Sequence, residues 1–232
     1  MNSVNTKLLK KPEAMIFDMD GTLFKTETLL IPAYDRLFTQ LREEGVYTGE
    51  TPPVERMLSS LGMVLDDLWE RVLPGEDKKV HERADELLLE NELTGLHQFD
   101  TQLYPGTKAM LEELKSSGVR LFVASNGLEG YVKGIADAHH ITPLFEELYS
   151  AGQYQTASKV DLVHILLEKH GISSAWMVGD RSSDVEAGLQ NGLTVIGCAY
   201  AGFCGEHELK GSHQIIQSFK ELTSLYLKAE EQ

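Results

Sequence analysis

The tightest constraint on this chain is the stretch Ala14–Leu23, AMIFDMDGTL. Ala14 to Phe17 is a continuous apolar run, the pattern of a parallel strand buried on both faces. It delivers two acids two residues apart, Asp18 and Asp20, followed at once by Gly21 and Thr22. A buried strand has no structural use for a pair of carboxylates at its end. The carboxyl ends of strands are, however, where open α/β sheets hold their ligands. Gly21 allows a backbone turn closed to residues with a Cβ. Taken alone, D-x-D-G reads equally well as a strand followed by an Asx-type turn, so the later segments decide between the two.

Residues 25–99 read almost entirely as helix. Thr28 to Glu44 carries Leu30, Ala33, Tyr34, Leu37, Phe38 and Leu41 at helical spacing. Gly45 supplies a stop, and Thr51-Pro52-Pro53 opens a further helix. Gly62 and Pro74-Gly75 mark breaks before a last long helix over Glu76 to Leu93. From Tyr104 the rhythm changes to strand–helix alternation. Apolar strands are expected at Arg120–Ala124, Glu147–Ser150, Ala175–Gly179, Leu193–Gly197 and near His213–Ile216. Helices are expected between them. Alternation of this kind implies a parallel sheet with right-handed crossovers. The economical fold is an α/β, Rossmann-like parallel-sheet core, residues 1–24 and 100–232, with an α-helical cap domain inserted over residues 25–99. An insertion that begins a few residues past Asp20 should sit over the acids as a lid.

Charge narrows the partners. A formal net charge of −15 over 232 residues argues against nucleic acid or an anionic membrane as the main partner. Any anionic substrate then needs a local cation or metal. No apolar run approaches the roughly 18 residues of a membrane span, and the first residues, MNSVNTKLLKKPE, lack a signal-peptide apolar region. Only Cys198 and Cys204 are present, which provides no disulfide framework. A cytoplasmic monomer is the expectation.

Three further polar groups stand at strand ends or helix starts. The strand LFVA runs into Ser125-Asn126-Gly127, the strand AWMV into Gly179-Asp180-Arg181-Ser182-Ser183-Asp184, and Lys159 opens a helix after Thr156-Ala157-Ser158. Each is weak alone: S-N-G is ordinarily a turn, G-D-x-x-x-D a helix N-cap with a first-turn acid, and a lone lysine a solvated charge. In this order they resemble, closely, the four signatures of the haloacid dehalogenase (HAD) superfamily: DMDGT at 18–22, Ser125, Lys159 and GDRSSD at 179–184. The chain looks most like the phosphoglycolate phosphatase and β-phosphoglucomutase branch, whose helical cap lies between the first two signatures.

The resemblance implies a set of roles, and charge balance supports them. A phosphate monoester is a dianion, so a carboxylate nucleophile reaches it only where that charge is neutralised. Asp18, Asp180 and the backbone carbonyl of Asp20 are oxygen ligands suited to Mg²⁺. Lys159, Ser125 and Asn126 would hold the phosphoryl oxygens. Asp18 would attack to form an aspartyl phosphate, and Asp20 would act first as acid and then as base. Asp184 is expected to orient Lys159 or a metal-bound water rather than bind the metal itself. Asp20 also separates the chain from the superfamily's dehalogenases, which lack the second acid of the pair.

The expected activity is therefore a Mg²⁺-dependent phosphatase acting on a small phosphorylated metabolite: a sugar phosphate, a nucleoside monophosphate or phosphoglycolate. A phosphomutase is the nearest alternative. A phospho-accepting signalling module is disfavoured by the long insertion. Ser59 to Leu65 resembles the branch's cap loop, with Gly62 facing the site, but lacks the Pro common after that Gly and any basic pair. Arg56 is the nearest cap cation. His139-His140 reads as a solvated helix end, Cys198 and Cys204 as no zinc site, Trp69 and Trp176 as packing, and KAEEQ as a frayed terminus.

Overall fold

The computed structural model describes residues 9–60, 65–202 and 207–231. Strand β1 (Ala14–Phe17) is completely buried and lies at the centre of a six-stranded sheet. The other strands are β2 (Arg120–Ser125), β3 (Glu147–Ser150), β4 (Ala175–Gly179), β5 (Thr194–Cys198) and β6 (Gln214–Ile216). All neighbours pair in parallel, in the order β3-β2-β1-β4-β5-β6. From β1 the chain builds outward to β2 and β3 on one side, then crosses to β4, β5 and β6 on the other. The carboxyl end of β1 is thus the point at which strand order reverses, the place such sheets leave a crevice.

Register brings the signatures level. Phe17 pairs with Val123 of β2 and with Val178 of β4. Asp18, Ser125 and Asp180 therefore emerge within two residues of the same edge.

Alternation along the strands divides the core in two. Met15, Phe17, Leu121, Val123, Trp176 and Val178 face one apolar layer. Ala14, Ile16, Phe122, Ala124 and Met177 face the other. A strand apolar on both faces requires a cover on both. Helices α5 (Thr107–Ser116), α6 (Glu129–Ala138) and α10 (Phe219–Lys228) cover the first layer, and α8 (Lys159–His170) and α9 (Ser182–Gln190) the second. A short helix, α7 (Ala151–Tyr154), follows β3.

Between β1 and β2 stand α1 (Glu27–Glu43), α2 (Val54–Leu58), α3 (Leu65–Val72) and α4 (Lys78–Gly95). They share an apolar core of their own, in which Tyr34, Phe38, Leu41, Trp69, Val72 and Leu87 are almost fully buried. The chain enters and leaves this helical cap side by side: Phe24 pairs antiparallel with Leu103, and Lys25 N–H donates to the Gln102 carbonyl at 2.9 Å.

Two expectations fail. The terminal segment is not frayed, because Lys11 N–H donates to the Glu230 carbonyl (2.8 Å) and Glu230 N–H to that of Leu9 (2.9 Å). His139 is half-buried rather than solvated: its ring packs on Phe24 with centroids 5.6 Å apart, its Nε2 lies 3.1 Å from Thr101 Oγ1, and burial lowers its pKa. Among the described residues no helix is long and apolar enough to cross a membrane.

Candidate active site

Asp18 continues the β1–β4 pairing, its N–H donating to the Val178 carbonyl at 2.9 Å, and its side chain is only 4% exposed. The turn that follows depends on Gly21, whose φ is +75°. A Cβ there would lie 2.3 Å from Asp180 Oδ2, so this position needs glycine for its conformation and for its space. Thr22 Oγ1 donates to Asp180 Oδ1 at 3.0 Å, tying the first signature to the last. Tyr200 OH donates to the Thr22 carbonyl at 2.9 Å and closes the loop from behind.

Lys159 shows what a helix start in the right place does to a charge. It is 5% exposed, and its Nζ lies 2.6 Å from both Asp18 Oδ1 and Asp184 Oδ1. Burial works against the ammonium, but the two carboxylates outweigh it and hold its pKa above the ordinary lysine range. Asp184 in turn accepts the Arg181 N–H through Oδ2 at 2.9 Å. Here too a glycine makes room, since a Cβ on Gly179 would come within 2.2 Å of Asp184 Cγ.

Oxygens of Asp18, Asp180 and Asp184, all buried, lie within 4.8 Å of one another. Burial is the largest cause that pushes Asp18 well above the usual carboxylate range; Lys159 opposes it, and Asp184, Asp180 and Asp20 add to it. Burial and then Asp184 push Asp180 up to about 7. Crowded acids of this kind are what a hard divalent cation relieves, so the donor set fits such an ion. Asp184, expected to orient Lys159 or a metal-bound water, brings a third side-chain carboxylate to this group, and the Asp20 side chain lies outside it.

Asp20 points elsewhere. Its Oδ1 accepts from Tyr131 OH at 2.6 Å and from Thr26 Oγ1 at 2.9 Å. Burial raises its pKa and these two donors hold it back. Tyr131, pushed well above the ordinary tyrosine value by burial and by Asp20, stays a neutral hydroxyl donor. Such a carboxyl is aimed by its two donors, with a pKa moved in the direction that suits giving and taking a proton.

These groups open on one cavity of about 320 Å³. Its floor includes Asp18, Asp20, Ser125, Asn126 and Lys159, and its roof is formed by the cap helices. Ser125 is 2% exposed and accepts the Gly127 N–H at 3.1 Å. Arg181 reaches the cavity with its guanidinium 3.5 Å from Asp180 Oδ2 and 3.8 Å from Glu208. Arg56 does not join the roof. It is exposed, while Met57, the next residue on the short α2, turns inward and lines the cavity. Adjacent helical positions diverge by about 100°, so only one of the two can face the site. Gly62 and Cys204 lie outside the described residues.

Sequence reasoning passed over Thr22, Thr26 and Tyr131, which hold Asp180 and Asp20, and the acids Asp85 and Glu92 of the roof. Thr22 and Thr26 stand close to the first signature and were within reach of it; Tyr131 and the roof acids carry no local signal.

Comparison with known proteins agrees with this geometry. Residues 15–198 match the haloacid dehalogenase-like hydrolases. The chain belongs to that family. This HAD-like hydrolase is 28% identical over 202 residues to a phosphoglycolate phosphatase of Aliivibrio fischeri, covering 82% of this chain and 85% of the relative. Among solved structures it superposes on the haloacid dehalogenase-like family protein SP0104 of Streptococcus pneumoniae with a TM-score of 0.77 at 21% identity, covering 92% and 97% of the two chains. Its fold also matches CbbY of Rhodobacter sphaeroides, solved in complex with phosphate, with a TM-score of 0.71 at 24% identity, covering 91% and 96%.

Proposed function

We propose that this hydrolase is a Mg²⁺-dependent phosphatase that cleaves a small phosphate monoester through an aspartyl phosphate on Asp18. The observation that carries the reading is the division of labour between the two acids of the first signature. Asp18 is held by a buried cation, 2.6 Å from Lys159. Asp20 is turned away from the acidic group and held by two hydroxyl donors beside the same cavity. One carboxylate is thus poised to meet phosphorus and the other to handle protons.

When bound, a divalent cation held by Asp18, Asp180 and the Asp20 backbone carbonyl would supply the positive charge that lets a carboxylate and a phosphate dianion share one cavity. The rest falls to the chain itself. Lys159 holds a phosphoryl oxygen, with Ser125 and Asn126 beside it. Asp18 forms the new oxygen–phosphorus bond as the ester oxygen leaves, and Asp20 gives that oxygen its proton. Asp20, now ionised, takes a proton from a water that attacks phosphorus, which releases phosphate and restores Asp18. Asp184 keeps Lys159 in place through their shared contact. Residues 1–24 and 100–232 act as the catalytic core, and 25–99 as a cap that excludes water.

The size of the cavity suits a sugar phosphate, a nucleoside monophosphate or phosphoglycolate, and several relatives carry the last name. A phosphomutase must also grip a second phosphate. No cationic side chain of the cap lines the cavity among the described residues, which favours hydrolysis. A cytoplasmic monomer with no nucleic-acid or membrane partner goes with this reading and with the net charge of −15.

Phosphate release from p-nitrophenyl phosphate should require Mg²⁺ and stop in excess EDTA. Asp20→Asn should form the adduct on Asp18 and stall after one turnover, because this aryl leaving group needs little protonation while the water still needs a base. Acid quench and mass spectrometry locate the phosphoryl group. Turnover that survives EDTA, or an adduct on Ser125 or a histidine, rejects the mechanism.

A further inference from the structure

The roof of the cavity differs from its floor in one respect that bears on the leaving group. Helix α4 presents Asp85, Leu88, Leu89 and Glu92 to the cavity. The spacing is i, i+3, i+4, i+7, one face of the helix. Leu30, Met57 and Leu68 line the same space. The cap therefore offers apolar surface and two acids, with no cation among the described residues. Residues 61–66, Leu-Gly-Met-Val-Leu-Asp, contain no basic side chain in their sequence either. Among the described residues both cations that line the cavity belong to the floor, where Lys159 pairs with Asp18 and Asp184, and Arg181 with Asp180 and Glu208.

The two roof acids differ. Asp85 already accepts a hydrogen bond from the indole Nε1 of the buried Trp69, at 3.2 Å. The Glu92 carboxyl accepts none from any described residue. Burial, then Asp20, then Asp85 push Glu92 up to about 8. It lines the cavity together with Asp20 and Tyr131, the pair that would serve the departing oxygen. The atoms of a leaving group just beyond that oxygen thus come up against an acid that lacks a donor, next to aliphatic side chains.

Given the phosphatase reading above, on which this rests, we propose that the cap selects a monoester of a short amino alcohol, an aminoalkyl phosphate, with Glu92 receiving the ammonium group. An arriving ammonium would ionise Glu92 and pair with it, whereas a second anion on the leaving group would face the Asp85 carboxylate and gain no pairing charge, since no cation of the roof lines the cavity among the described residues. A neutral hydroxyl can donate to Glu92 but brings no charge. The selection therefore runs against a carboxylate such as that of phosphoglycolate, although relatives are named for that ester.

The test uses the full chain with Mg²⁺ near neutral pH and measures kcat/KM by phosphate release. The substrates are three esters of matched size, 2-aminoethyl phosphate, 2-hydroxyethyl phosphate and phosphoglycolate, with p-nitrophenyl phosphate as the monitor of turnover. The ammonium ester should exceed the hydroxyl ester by about tenfold, and the carboxylate ester by about a hundredfold or more. Glu92→Gln should bring the ammonium-to-hydroxyl ratio to within about threefold of unity, and Glu92→Lys should invert the order in favour of phosphoglycolate. If p-nitrophenyl phosphate is cleaved but the carboxylate or hydroxyl ester matches or beats the ammonium ester, the cap assignment alone is overturned. An unchanged ratio in a folded Glu92→Gln overturns the role of Glu92. If no ester is hydrolysed, the phosphatase reading fails and this proposal falls with it. Should the Glu92 variants not fold, the wild-type series still decides.

Discussion

The floor and the roof of the cavity are built by different rules. On the floor every acid is tied to a named partner: Asp18 and Asp184 to Lys159, Asp180 to Thr22, and Asp20 to Tyr131 and Thr26. Each stands at a strand end or in the loop or helix start that follows one. On the roof the groups come from helix faces, and Glu92 has no donor of its own among the described residues. The floor is preorganised for one reaction, and preorganised charge acts without rearrangement when the reaction occurs. The roof ties Asp85 to Trp69 and leaves Glu92 for the substrate to satisfy. On the proposed reading, chemistry and selection are separated along the height of one cavity, on elements with separate apolar cores.

Four substitutions would break or sharpen this contrast. Asp18→Asn removes the proposed nucleophile and should lower kcat by at least about 10⁴-fold, with no adduct after acid quench. Lys159→Met should lower kcat by roughly 10²–10³-fold, as loss of one preorganised charge contact does. It also strips from Asp18 and Asp184, both nearly fully buried, the one ammonium that pairs with them among the described residues. Without divalent metal, urea unfolding should then show a loss of about 3 kcal/mol, the cost of breaking a buried pair from one side. Mg²⁺ should restore part of that loss by neutralising Asp18. A purely catalytic lysine would leave unfolding unchanged.

Tyr131→Phe keeps the ring and deletes the donor to Asp20. Proton handling contributes about 10²–10⁴-fold where it operates. Because Thr26 still holds the carboxyl, kcat should fall by only about tenfold with little change in KM; an equal rise in KM would show that Tyr131 binds substrate instead. The smallest effect belongs to the roof's interior. Trp69→Phe removes the hydrogen bond to Asp85 and should cost about 1 kcal/mol, or about 2–4 °C in Tm by calorimetry. It should alter preference among esters more than it alters hydrolysis of p-nitrophenyl phosphate.

Most of the floor was legible in the residue order. Asp18, Asp180, Ser125 and Lys159 follow apolar runs or open a helix at positions where an acid, hydroxyl or ammonium has no packing use. Strand register then carries each of them to the same edge. The roof was much less legible. Arg56 was the natural cap candidate because a cation suits a phosphate, but α2 turns Met57 inward and leaves Arg56 exposed. In α4 the run Leu87-Leu88-Leu89 makes two faces apolar. Leu87 is buried in the cap core, Leu88 packs against that core and also lines the cavity, and Leu89 lines the cavity. No periodicity in one helix chooses between those faces; packing against α1 does.

The amino-acid sequence alone determined a parallel sheet, a helical insertion after its first strand, and the acids, hydroxyl and lysine at the reversal of strand order. Local rules suffice there, because a strand fixes the direction of its last residues and the sheet sets their spacing. Only the tertiary structure decided that Tyr131 and Thr26 aim Asp20, that Asp184 takes the Lys159 side of the two roles expected of it, and that Glu92 lines the same cavity with no hydrogen-bond donor among the described residues. Tyr131 meets Asp20, and Asp184 meets Lys159, because register and crossovers bring separate elements of the sheet layer to one edge. Glu92 reaches the same cavity because the helical cap, entered and left at Phe24 and Leu103, lies over that edge. A side chain's reach is a few ångströms, so such contacts follow from where whole elements come to rest rather than from the residues beside them in sequence.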